Sequence, residues 1–261
     1  MERRGRRRET RNQGSTEGTP SPVTGVNDSM ARFNLELQNN SWLRIGRRAK
    51  DASVVFNNLL CHVTVANFRQ AYQALDEKKA VGIDGKTKRD YGENLETNLP
   101  DLVRRIHKGS YRPIPKRQAL IPKASGKMRS IAVAAVEDKL VEWIVAKILS
   151  AVYEPLFHSC SYGYRPKRRA AEAVKHLYLG LKDRKRPTVV DLDLASFFDT
   201  VPHRPLIKIL EKRISDKRFT SLISRLLQAE IMMTTGRVIE AETGTPQGSI
   251  ASPVLANVYL H

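Results

Sequence analysis

The sequence predicts a mixed helix-and-strand fold, on three observations. Phe68, Tyr72 and Leu75, then Leu95, Leu99, Leu102 and Ile106, then Leu140, Ile144 and Ile148 recur at spacings of three and four, the period of one helix face. Between the second and third sets, Arg117 to Val133 places two apolar runs around Ser125-Gly126, a hairpin signal. Further on, Val189-Val190-Asp191-Leu192-Asp193-Leu194 alternates apolar residues with aspartates, which reads as a buried strand ending in Phe197-Phe198 and a turn. A buried carboxylate is costly unless a cation or hydrogen bonds compensate it. Mg²⁺, a hard ion that takes oxygen ligands, is the compensating partner this pattern suggests. The plainer alternative makes these aspartates caps and exposed strand-face residues.

Residues 1–26, rich in Arg, Gly, Ser, Thr and Pro, have almost nothing apolar to bury and are expected to be a disordered basic arm. Residues 27–115 follow as a mostly helical segment: a polar stretch around Trp42-Leu43-Arg44-Ile45, a helix over 65–79, a glycine turn at Gly82-Ile83-Asp84-Gly85, and a helix over 95–107. Gly109-Ser110-Tyr111-Arg112-Pro113 breaks that second helix. Residues 116–188 carry the hairpin, a helix over 137–149, the block Gly163-Tyr164-Arg165-Pro166-Lys167-Arg168-Arg169, and a helix over 170–181. Residues 189–261 add the aspartate strand, helices over 203–212 and 219–229, a short hairpin over 232–242, the turn Pro246-Gln247-Gly248, and a last helix over 253–260.

The formal charge is +18, from 45 Lys and Arg against 27 Asp and Glu. Basic clusters recur at 116–117, 167–169 and 184–186, outside the arm, so nucleic acid is the expected partner. No apolar run is long enough to span a bilayer and no h-region follows the Arg-rich start, which points to a soluble intracellular protein with no membrane partner. Cys61 and Cys160 have neither metal-ligand spacing nor the look of a disulfide framework.

Asp193-x-x-x-Phe197-Phe198-Asp199 followed by Pro246-Gln247-Gly248 and Ser252-Pro253 resembles motifs A and B of reverse transcriptases, in the right order. Gly82-Ile83-Asp84-Gly85, Gly109-Ser110-Tyr111-Arg112-Pro113 and Gly163-Tyr164-Arg165-Pro166 are similar to blocks of the enzymes encoded by group II introns. The resemblance implies an α+β fold, the fingers and partial palm of a right-hand polymerase. It implies an RNA-directed DNA polymerase that acts in intron mobility and, as a maturase, in splicing. Its partners would be an intron RNA template, a DNA primer and deoxynucleotides, in a bacterial cytoplasm or an organelle.

Carried over position by position, the resemblance makes Asp193 the catalytic carboxylate and, with the carbonyl of Leu194, a Mg²⁺ ligand. Lys123, Lys127 and Arg129 on the hairpin would hold the triphosphate. Phe198 would exclude a 2′-hydroxyl, and Gln247 and Gly248 would contact the nucleotide. Arg165, Lys167 and Arg168 would meet the template, aromatics and arginines together serving to stack bases and pair phosphates. A core Phe, a turn Gln and a solvated basic turn are the structural alternatives. No Tyr-x-Asp-Asp block follows motif B before His261. The 261 residues are therefore expected to be inactive alone, and the alternative is a non-catalytic RNA-binding remnant or half of a split enzyme with a separately encoded C-terminal part.

Overall fold

The computed structural model describes residues 40–122, 126, 128–182 and 188–261. The expected arm, Lys123 and Lys127 lie outside them.

The core is built around one helix. From Val136 to Tyr153 (α5 in chain order) every residue except Glu137 is buried. A helix buried on every side has no solvent face and stands at the centre of the packing, and its charged residues Asp138, Lys139, Glu142 and Lys147 are buried with it. Its neighbours are α1 (Asn40–Ala49), α2 (Val65–Ala74), α3 (Lys88–Gly92) and α10 (Ser252–Leu260). In α1 the buried residues Trp42, Ile45 and Ala49 form the stripe, so the undecided polar stretch around Trp42 is a helix docked on α5. Helix α4 (Leu95–His107) buries Leu99, Leu102 and Ile106, as its period predicts. Helix α2 stops at Ala74, before the expected 79, because Leu75 turns extended and its N–H caps the last carbonyls. Helix α3 was not anticipated, although Thr87 and Asp90 form a reciprocal capping box at its start.

Strands β1 (Lys116–Pro122) and β2 (Met128–Val133) form the expected antiparallel hairpin, pairing Arg117 with Val133 and Ile121 with Arg129. The second hairpin, β3 (Ile231–Met232) and β4 (Val238–Ile239), joins the same sheet through a parallel pairing of β3 with β1. The sheet order is β2-β1-β3-β4. Helices α6 (Ala170–Lys182), α7 (Phe197–Thr200), α8 (His203–Glu211) and α9 (Lys217–Leu227) complete the described chain. A single apolar core runs from Trp42 in α1 to Val258 in α10.

One expectation is corrected here. Val189 to Leu194 is not a buried strand: it pairs with no described strand, and Leu192 and Leu194 are 88% and 59% exposed. Alternation sets which face a residue would take, but only a neighbouring strand supplies the ladder that holds it. Helix α6 shares this exposure, with no buried residue and with Val174, Leu177, Tyr178 and Leu179 open to solvent.

The break at Gly109-Pro113 is anchored to α5. Tyr111 donates its hydroxyl to one oxygen of Asp138, and the Ile114 N–H donates to the other at 3.2 Å. Burial pushes the Asp138 carboxyl up to about 7 against the pull of the Tyr111 bond, and the negative Glu142 adds to the rise. The unfolded carboxyl titrates at about 3.9. Between about pH 4 and pH 7 the folded chain therefore keeps a proton that the unfolded chain has lost, and stability falls as pH rises through that window. Asp138→Asn is expected to flatten this fall, whose slope is at most about 1.4 kcal/mol per pH unit, in urea midpoints measured across the window.

Candidate nucleotide site

Two distant stretches meet through their backbones. Ser196 adopts a left-handed conformation (φ 49°) and starts the four-residue helix α7. The carbonyl of Phe198 then accepts the Thr245 N–H at 2.6 Å, Val201 accepts the Gly244 N–H at 2.8 Å, and the Thr243 hydroxyl donates to the Asp199 carbonyl at 3.2 Å. Nε2 of His203 lies 2.7 Å from the Gly244 carbonyl. Gly244 sits at φ +90°, where a Cβ would stand 2.9 Å from the Asp199 carbonyl oxygen. Only glycine allows this approach.

The loop then reaches β2. The Gln247 carbonyl accepts the Ala132 N–H at 2.8 Å, and the Ser252 hydroxyl closes the turn onto the Pro246 carbonyl at 2.9 Å. Gly248 has φ +104°, and a Cβ there would lie 2.5 Å from Cγ2 of Ile131 and 3.0 Å from the Ala132 carbonyl oxygen. Backbone strain of this kind costs about 1–3 kcal/mol. Gly248→Ala is therefore expected to lower the Tm by about 2–12 °C in thermal unfolding.

The ring of Phe198 is half-buried, edge-on to Tyr164 at 5.7 Å and to Phe197 at 5.8 Å. The Asn257 amide of α10 donates to the Gly163 carbonyl at 2.9 Å, which brings the 163–166 block to the same place. Gln247 and Gly248 thus lie against β2, the strand that carries the exposed Arg129, and the Phe198 turn is bonded to the same loop at Thr245.

Arg165 requires a correction. Its side chain is 4% exposed and pairs with Glu154 at 2.8 Å. The same guanidinium donates to the carbonyls of His158 and Ser161 and lies over the Phe157 ring. A guanidinium used up by protein acceptors does not face a template. Tyr164 and Lys167, close on either side, are left-handed at φ 55° and 60°, so Arg165 clamps a strained turn. Lys167 is exposed, while Arg168 is half-buried, donates to the Ser159 carbonyl at 3.0 Å and lies over the Tyr162 ring.

Asp193 and Leu194 stand on the exposed, unpaired segment. Among the described residues no group of three or more His, Cys, Asp or Glu is placed to hold a metal ion. A carboxylate and a carbonyl are suitable hard donors for a divalent ion, but they supply only part of a coordination shell. A separate cavity of about 660 Å³, lined by Pro202, His203, Glu230, Glu240 and Glu242 among others, includes none of the predicted site residues. Its glutamates would repel a triphosphate. Sequence reasoning missed His203 and Glu142, both of which hold the loop. Neither carries a local motif, and their contacts span 41 and 108 residues of sequence.

These features coincide with a family match. Residues 121–261 fit the model of the reverse transcriptase (RNA-dependent DNA polymerase) family, and the chain belongs to that family. Its relatives place it with the group II intron-encoded reverse transcriptases and maturases. It is 32% identical over 192 residues to the group II intron-encoded protein LtrA of Lactococcus lactis subsp. cremoris, covering 73% of this chain and 32% of LtrA. It is 36% identical over 183 residues to Protein YkfC of Escherichia coli (strain K12), covering 69% of this chain and 48% of YkfC. The chain thus spans about a third to a half of the length of these relatives. A partial Cas6-RT-Cas1--Cas2 complex shares the fold at a TM-score of 0.51 and 21% identity, over 77% of this chain and 33% of the other. No helix among the described residues is long and apolar enough to cross a membrane.

Proposed function

We propose that this chain holds nucleotide and template for RNA-directed DNA synthesis, as the fingers and first part of the palm of a group II intron-type enzyme. The observation that supports this reading is the junction of the Phe198 turn, the Gln247-Gly248 loop and β2. Phe198 places a ring edge where a sugar would lie and leaves no room for a 2′-hydroxyl. The Gln247 side chain and the bare Gly248 backbone approach the base and template. Arg129, with Lys123 and Lys127, meets the triphosphate, since guanidinium and ammonium donors suit phosphate oxygens. Lys167 and Arg168 meet the RNA template, and Arg165 serves them by holding their turn.

Asp193 and the Leu194 carbonyl would hold Mg²⁺. Bound there, the metal would supply Lewis-acid stabilisation to the oxygens that gain charge when a primer hydroxyl displaces pyrophosphate. An exposed Asp193 with no metal-holding cluster about it among the described residues also favours a second reading, a non-catalytic RNA-binding module or half of a split enzyme completed by another chain. The intron RNA as template and the maturase role belong to the same proposal, supported by a relative named as a group II intron-encoded protein.

Phe198→Val in the native-length protein tests the nucleotide assignment by competition between ribo- and deoxynucleotides in primer extension. Discrimination against ribonucleotides is expected to fall by more than about tenfold, because a ring contact worth over about 1.4 kcal/mol is lost. Unchanged discrimination would contradict the role given to Phe198.

A further inference from the structure

We propose that Glu142 is a positioning residue for the nucleotide-facing loop, a role that rests on the reading above. Glu142 lies in the middle of α5, and its two oxygens serve different partners. One accepts from Lys116 Nζ of β1 at 2.9 Å, and both side chains are 1% exposed. The other accepts the backbone N–H of Ile250 at 3.0 Å. Ile250 is two residues beyond Gly248, and the carbonyl of Gln247 is already held by Ala132 of β2. The stretch 247–250 is thus pinned at both ends, by β2 on one side and by the central helix on the other. Lys116 is fixed in turn, its N–H donating to the Glu230 carbonyl at 2.7 Å beside β3.

A buried ion pair is a poor source of stability, since an apolar pair of similar volume serves about as well. A carboxylate does here what an apolar side chain cannot. It receives an ammonium on one oxygen and a main-chain amide on the other, and so links the β1 strand to the loop. A loop held in this way meets the nucleotide in one geometry, so ordering is not deducted from binding. Without the tether the loop would be ordered only when the nucleotide arrives.

Two double variants separate positioning from packing. Lys116→Met with Glu142→Leu removes the charges and the acceptor, whereas Lys116→Met with Glu142→Gln keeps an amide oxygen for Ile250. Both are measured by amide exchange at Ile250 and by deoxynucleotide KM and kcat in primer extension by the native-length protein. The Leu variant is expected to keep core protection, exchange Ile250 at least about tenfold faster, and raise KM at least about fivefold with kcat within about twofold. The Gln variant is expected to stay near the parent in both. The proposal is overturned if the two variants behave alike, or if Ile250 exchange accelerates with KM unchanged. A parent that incorporates no nucleotide overturns the polymerase reading and with it the nucleotide part of this inference, while exchange at Ile250 still decides the tether.

Discussion

Asp193→Ala is expected to reduce nucleotide incorporation by the native-length protein by more than about a hundredfold, since loss of an outer partner of a metal ligand already costs about 10–100-fold. Asp193 stands on a segment with no ladder partner and no cation within ion-pair distance among the described residues, so no described residue claims its carboxylate. The same exposure predicts that stability does not depend on it, and Asp193→Ala is expected to change the Tm by less than about 2 °C, a surface substitution costing within about 0.5 kcal/mol. A variant that folds normally and loses incorporation identifies a ligand. A variant that retains primer extension removes the metal assignment.

Lys116→Ala should have the largest effect on stability. It leaves the Glu142 carboxylate buried at 1% exposure without its ion-pair partner, the Ile250 N–H still donating to it and the Lys139 charge acting on it without an ion-pair contact. Breaking a buried pair from one side costs about 3–5 kcal/mol. For a domain of this size that lowers the Tm by about 6–20 °C. Lys116→Met combined with Glu142→Gln should recover most of the loss, because no unpaired charge remains. If Lys116→Ala alone is as stable as the parent, water reaches Glu142 and the pair is not the buried contact described here.

Much of this fold is legible from local pattern. The stripes in α4 and α5 and the hairpin at β1 and β2 come from periods and turn residues, which need no knowledge of partners. What fails is what depends on a distant partner. The alternation from Val189 to Leu194 looks like a strand, yet a strand exists only beside another, and none is described there. Arg165 beside aromatics looks like a nucleic-acid contact, but Glu154, eleven residues earlier, turns back to claim it. Helix α3 was overlooked for the opposite reason: its Thr87 and Asp90 signal is local but the helix is only five residues long.

The candidate site shows the same division. Phe198, Gln247 and Gly248 are readable from motifs; Gln247 and Gly248 lie against β2, and the Phe198 turn is bonded to their loop at Thr245. Glu142 was not found, because a glutamate in mid-helix reads as a solvated residue until the Lys116 and Ile250 contacts are seen. Arg129 is exposed on β2 as a phosphate contact requires, while Lys123 and Lys127 fall outside the described residues.

The most direct measurement is Mg²⁺-dependent incorporation on a primed RNA template by the native-length protein isolated from its source cells. The account predicts incorporation of deoxynucleotides in preference to ribonucleotides, lost when Mg²⁺ is chelated. A folded protein that binds the primed RNA and incorporates nothing would contradict it and leave the RNA-binding module in its place.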